Sequence, residues 1–130
     1  MCADTSEGRI YDALVALLHR GLEKSFVLIQ EPRSEKFVQF GKGRCLGMDV
    51  PFVELSSEEA DRAYQFFQRF GEEYPREYDA PDPRTGQVRH GATFYHDFGK
   101  NVRAAASAAI QFFVDVCGFP QDVELAIEEN

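Results

Sequence analysis

The sequence contains no tryptophan and only two methionines, three histidines and three cysteines in 130 residues. The cysteines, Cys2, Cys45 and Cys117, are odd in number and far apart, with no Cys-x-x-Cys pair. That spacing excludes a zinc knuckle and a thioredoxin-type motif. Cys45 stands in a strand-like run and Cys117 in an apolar helical pattern, so both are expected as reduced packing residues. The histidines, His19, His90 and His96, form no closely spaced pair, and no metal site is expected. His19 and Glu23 stand at ordinary helix-surface spacing. His96 and Asp97 are neighbours on a strand and point to opposite faces, so they make no base–orienter pair by themselves. His90 is expected in solvent at the end of a loop. Basic residues are also short. Fourteen Lys and Arg against 22 Asp and Glu give a net charge of −8. That balance argues against a nucleic-acid partner, which needs a positive footprint, and against an anionic membrane surface. No apolar run approaches the ~20 residues of a membrane span. No basic stretch followed by an apolar one opens the sequence, so the expected location is cytoplasmic.

Catalytic signatures are missing as well. There is no Gly-x-Ser-x-Gly elbow, no His-Glu-x-x-His and no glycine-rich dinucleotide fingerprint. Gly41-Lys42-Gly43-Arg44 lacks the spacing of a phosphate loop and precedes a strand, so it reads as a turn. The prolines around Asp79 and Asp82 break any calcium-loop pattern. No catalytic residue and no cofactor is expected, and the protein reads as a non-enzyme.

What is present is apolar and aromatic. Hydrophobic residues make up 44%, including 12 Phe and 5 Tyr. A chain of this length buries roughly two thirds of its unfolded surface, enough for one core without disulfides or metals. One domain over residues 1–130 is expected, with its core over about 9–128. Ile10, Leu14, Leu17, Leu18 and Leu22 lie on one stripe of a helix over 7–23, with Thr5 or Ser6 as cap and Gly21 weakening its last turn. Short apolar bursts follow: Phe26-Val27-Leu28-Ile29, Lys36-Phe37-Val38-Gln39-Phe40, and residues 45–50. These predict three antiparallel strands. Val38 and Phe40 share one face of the second, Phe37 and Gln39 the other; Leu46, Met48 and Val50 align on the third.

Ser56 with Glu59 forms a capping box opening a second helix, with Ala60, Ala63, Tyr64, Phe67 and Phe70 on its stripe and Gly71 as its stop. Residues 72–91, rich in proline and charge, predict a long surface loop. Residues 92–98 alternate as a strand, with Ala92, Phe94, His96 and Phe98 on one face and Thr93, Tyr95 and Asp97 on the other. Asn101 then caps a third, alanine-rich helix, whose stripe runs through Val102, Ala105, Ala106, Ala109, Ile110, Phe113 and Val116 to a stop at Cys117-Gly118-Phe119-Pro120. The tail over 123–127 alternates like a last strand, with helix as the competing reading. The order α-β-β-β-α-β-α-β predicts an α+β fold, helices packed on an antiparallel sheet.

Lys36-Phe37-Val38-Gln39-Phe40, after the apolar strand Phe26-Val27-Leu28-Ile29, resembles the basic-aromatic-Val-Gln-Phe strand of the TY-Chap family. These are bacterial domains grouped with type III secretion chaperones and YbjN-like proteins. The following strand to Val50, the helix opened at Leu55-Ser56 and closed at Phe70-Gly71, and the late Cys117-Gly118-Phe119 ending are similar too. Where the family often has a Trp-Pro element, this chain has Phe70-Gly71-Glu72-Glu73-Tyr74-Pro75. The resemblance implies a secretion-chaperone-like fold, homodimers, and the holding of extended client segments without ATP.

The expected function is therefore a peptide- or protein-binding module, chaperone-like or an adaptor. Its candidate partner-binding residues are Val38, Phe40, Leu46, Met48, Phe94 and Tyr95 on the sheet. Tyr64, Phe67 and Phe70 on the second helix are candidates for a dimer interface. Two other readings stand beside it. An immunity-type inhibitor of one folded basic partner would concentrate Glu72, Glu73, Glu77, Asp79 and Asp82 in one patch. An enzyme would bring His96 or His90 to a carboxylate, or to Cys45 or Cys117, in a pocket.

Overall fold

The structure, a computed structural model, describes residues 5–20, 25–41, 45–51, 55–81 and 85–129. It is an α+β fold: a six-stranded, fully antiparallel open sheet with three helices. The elements run α1 (Ser6–Arg20), β1 (Phe26–Gln30), β2 (Phe37–Gly41), β3 (Gly47–Pro51), α2 (Ser57–Gln68), β4 (Arg76–Pro81), β5 (Val88–Asp97), α3 (Val102–Gln111) and β6 (Ala126–Glu129). In space the strands lie β4-β5-β3-β2-β1-β6.

Period-2 patterning sets the two faces. Val27, Ile29, Val38, Phe40, Met48, Val50 and Phe94 turn to the helices and are buried. They meet Ile10, Leu14 and Leu17 of α1, Phe66 and Phe67 of α2, and the small residues Ala105, Ala106, Ala108 and Ala109 of α3. The alanines let α3 lie close to its neighbours. Phe67 stacks on Phe94 at 5.2 Å and 11°, and Tyr64 meets Phe94 edge-on at 5.1 Å.

The helix ends follow their local chemistry. The Ser56 hydroxyl accepts from the Glu59 amide at 3.2 Å, and the Glu59 carboxylate accepts from the Ser56 amide at 2.9 Å. The same Glu59 oxygen receives the Lys36 ammonium at 2.7 Å, which ties the start of α2 to the approach of β2. Gly71 takes φ +85 just past α2, a conformation that glycine adopts without a Cβ penalty. The Asn101 side chain accepts from the Ala104 amide, the cap expected for α3. That helix closes with a π-helical turn over Phe112–Val116, where the Cys117 amide reaches the Phe112 carbonyl. Phe112, Phe113 and Val116 of this turn are buried, Phe112 continuing the buried stripe of Ala105 and Ala108. Arg62 of α2 donates to the Val116 carbonyl at 2.7 Å, satisfying a helix-end acceptor.

The structure corrects several expectations. Residues 72–91 are not one long loop. They hold β4 and the first half of β5, paired from Arg76↔Thr93 to Pro81↔Val88. The order is therefore α-β-β-β-α-β-β-α-β, with one strand more than expected. The alternation inside Arg76–Pro81 is masked in the sequence by its charges and flanking prolines. The tail strand begins at Ala126, later than expected. Val38, Phe40, Leu46 and Met48 are completely buried and Phe94 nearly so. Their strand faces are the ones the helices cover, so these five cannot meet a partner in this fold. Phe67 is also in the core, while Tyr64 and Phe70 pack half-buried against it, so Phe67 offers no dimer contact. Cys45 is exposed rather than a packing residue, because it precedes the strand rather than standing in it. Cys117 is half-buried as expected, and burial pushes its thiol up to about 12. Cys2, Leu22, Glu23, Asp82, the glycine expected to weaken α1 and the interior of the turn over 42–44 lie outside the described residues, as does the side chain of His90.

Candidate functional site

Among the described residues no helix covers the second face of the sheet. Register places a row of side chains across five strands there: Glu128, Leu28, Gln39, Asp49 and Tyr95. The neighbouring rows are Phe26, Gly41, Gly47 and Asp97 on one side, and Gln30 with Phe37 on the other. Pro51, Thr93 and Arg76 continue the face over β3, β5 and β4. Phe26, Leu28, Phe37 and Tyr95 are half-buried by their neighbours alone. Of the six sheet residues expected to meet a partner, this face contains Tyr95 and none of the others.

A depression of about 440 Å³ lies over this face, lined in part by Gln39, Asp49, Arg76, Glu77, Thr93 and Tyr95. Its floor is backbone where Gly41 and Gly47 face each other across β2 and β3. Gly47 is needed there. A Cβ at that position would collide with the hydroxyl and ring of Tyr95, which leans over it. The Arg76 guanidinium sits 4.1 Å above the Tyr95 ring centroid, a cation–π stack. The resulting order, glycine backbone, phenol, guanidinium, fixes Tyr95 between β3 and β4.

The polar groups here are under-used. The Thr93 hydroxyl donates to Asp49 Oδ1. Among the described residues Asp49 has no cation within ion-pair distance, although Arg76 lines the same depression. Among the described residues neither the Gln39 amide nor the Tyr95 hydroxyl has a hydrogen-bond partner. The Tyr95 phenol is raised above its ordinary range, first by burial and then by the Asp97 carboxylate; Arg76 opposes this, while Asp49 adds to it.

The other candidates fall elsewhere. His96 Nδ1 lies 2.8 Å from Glu72 Oε2, and its ring stacks on Phe70 at 5.2 Å and meets Phe98 edge-on at 4.7 Å. This His–carboxylate pair stands on the helix side, and neither residue lines the open-face depression. Its hydrogen-bond partner is Glu72, not Cys45 or Cys117. Among the described residues no group of three or more His, Cys, Asp or Glu is placed to hold a metal ion, and no helix is long and apolar enough to cross a membrane.

The residues that sequence reasoning passed over are Phe26, Leu28, Gln39 and Asp49. A signal was present: Phe37 and Gln39 alternate against Val38 and Phe40, so one of the two faces had to be the mixed one. Comparison with family models, curated proteins and solved structures finds no match to this chain.

Proposed function

We propose that this protein is a non-enzymatic protein-binding module, chaperone-like or an adaptor, which holds an extended segment of a partner protein on the open face of its sheet. One observation carries the reading. A row that mixes half-buried apolar groups with hydrogen-bonding groups, Gln39 and the Tyr95 hydroxyl without partners among the described residues, runs across five strands with no described helix over it. Faces of this composition, apolar with polar groups interspersed, suit a partner that is itself a chain with both kinds of group. The sheet's edges suit it less. Pro75 precedes β4 and Pro81 ends it, and neither has an N–H to offer a further strand. β6 is four residues long and ends in two glutamates. Docking on the face is favoured over strand addition. The TY-Chap resemblance, a secretion-chaperone-like fold binding client segments without ATP, agrees with this reading. A cytoplasmic home and the homodimer it implies are parts of the same proposal.

The test is site-resolved crosslinking. A photo-reactive residue is placed at Gln39 on the open face and, separately, at exposed Asp12 on α1. The partner captured from the native lysate should crosslink from position 39 and not from 12. Phe37→Asp, shown by circular dichroism to fold, should abolish the product. Equal crosslinking from both positions, or capture insensitive to Phe37→Asp, overturns the reading.

A further inference from the structure

We propose that Asp49 anchors a basic side chain of the bound segment, so that the ligand class is an extended peptide in which an arginine or lysine is flanked by apolar residues. This inference rests on the open face being the binding surface.

The argument is one of charge and vacancy of partners. Asp49 is a half-buried carboxylate at the centre of the five-strand row. Its one hydrogen-bond donor among the described residues is the neutral Thr93 hydroxyl. A partly desolvated carboxylate without a cation is unfavourable, and a nearby cation relieves it. The obvious internal cation, Arg76, is stacked on the Tyr95 ring instead. Gln39, next in the row, offers an amide oxygen with no partner. Asp97 and Glu128 lie on the same face by register, adding carboxylates to that of Asp49. The whole chain carries −8. An incoming guanidinium or ammonium therefore finds a carboxylate and an amide oxygen side by side, with Leu28, Phe26 and Phe37 for the apolar neighbours of the same segment. Charge-assisted hydrogen bonds of this kind are the strong ones in a half-buried site.

The experiment uses three acetylated and amidated heptapeptides: Leu-Ser-Leu-X-Leu-Ser-Leu with X arginine, its neutral isostere citrulline, or glutamate. Each is titrated into the isotopically labelled full chain and followed by backbone amide shifts. The arginine peptide should move the amides of residues 39, 49, 93 and 95. It should bind roughly tenfold or more tightly than the citrulline peptide, and that preference should vanish in Asp49→Asn, whose amide oxygen still accepts from Thr93. Gln39→Glu, which adds a second carboxylate to the row, should tighten the arginine peptide further. If all three peptides move the open face equally in both the native protein and Asp49→Asn, the anchor is refuted while the binding face stands. Tighter binding of the glutamate peptide also refutes the anchor and assigns the recognition to Arg76. No shift on the open face with any peptide overturns both proposals.

Discussion

Replacing Glu59 isolates a junction that joins a helix start to the sheet. In the native protein its carboxylate accepts from the Ser56 amide at 2.9 Å and from the Lys36 ammonium at 2.7 Å. The Glu59 and Lys36 side chains are only 12% and 23% exposed, so solvent screens the pair less than an ordinary surface contact. Loss of a capping interaction costs about 1 kcal/mol, and a partly shielded ion pair contributes about 1 more. Glu59→Ala should therefore destabilise the fold by roughly 2 kcal/mol. For a chain of 130 residues this lowers Tm by about 8 °C. Glu59→Gln, which keeps an oxygen for the Ser56 amide, should cost about half as much. In that background Lys36→Met should cost less than the roughly 1 kcal/mol it costs alone.

The pH dependence follows from the Glu59 carboxyl. Burial raises it, but Lys36 and the Ser56 amide outweigh burial and hold it below its ordinary 4.5. A carboxyl lowered by folding stabilises the native state above its unfolded value and loses that contribution as pH falls through the folded one. Urea denaturation at pH 7 should thus separate the native protein from Glu59→Gln, and the two should converge as the pH is lowered below the ordinary 4.5. A gap that stays constant over that range, or no gap at pH 7, would refute the junction.

Phe67→Ala should cost about 3–5 kcal/mol in urea denaturation, because the ring is fully buried and stacked on Phe94; a loss under 1 kcal/mol would place it outside the core. In a Cys2→Ser background, a thiol reagent at pH 8 should label exposed Cys45 at once and Cys117 at least about a hundredfold more slowly, since a thiol near 12 is almost entirely protonated there. Comparable rates would contradict the burial of Cys117. Gly47→Ala should displace Tyr95 from β3, so that ultraviolet titration shows the raised tyrosine moving back towards 10; an unchanged profile would mean the ring does not lean on Gly47.

Most of the fold was legible because three kinds of local signal agree with it. The capping box at Ser56 and Glu59 and the asparagine cap at Asn101 are satisfied by backbone atoms within four residues, so sequence alone specifies them. The apolar alternation of Val38 with Phe40 and of Met48 with Val50 specifies which residues share a face. Two features were not legible. β4 is an outer strand whose partner supplies its hydrogen bonds, and its charges and bounding prolines read locally as loop. The π-helical turn at Phe112–Val116 is a local i→i+5 departure from the regular ladder, which apolar periodicity does not encode.

The site was misread for a different reason. Alternation says that Val38 and Phe40 lie opposite Phe37 and Gln39, but it does not say which side the helices cover. Choosing the most apolar residues as the binding face applies the same criterion that burial applies. α1, α2 and α3 carry their stripes to the face where Val38, Phe40 and Met48 stand, since that contact removes the most apolar area from water. The proposed binding face is the mixed one, which stays tolerable in water when empty: Phe26, Leu28 and Phe37 with Gln30, Gln39 and Asp49 among them. In a one-sided antiparallel sheet, then, the purest apolar rows point to the core. The rows in which aromatic and polar residues alternate across strands point to the open surface, and Tyr95, the one sheet candidate that also carries a hydroxyl, is the one the structure leaves there.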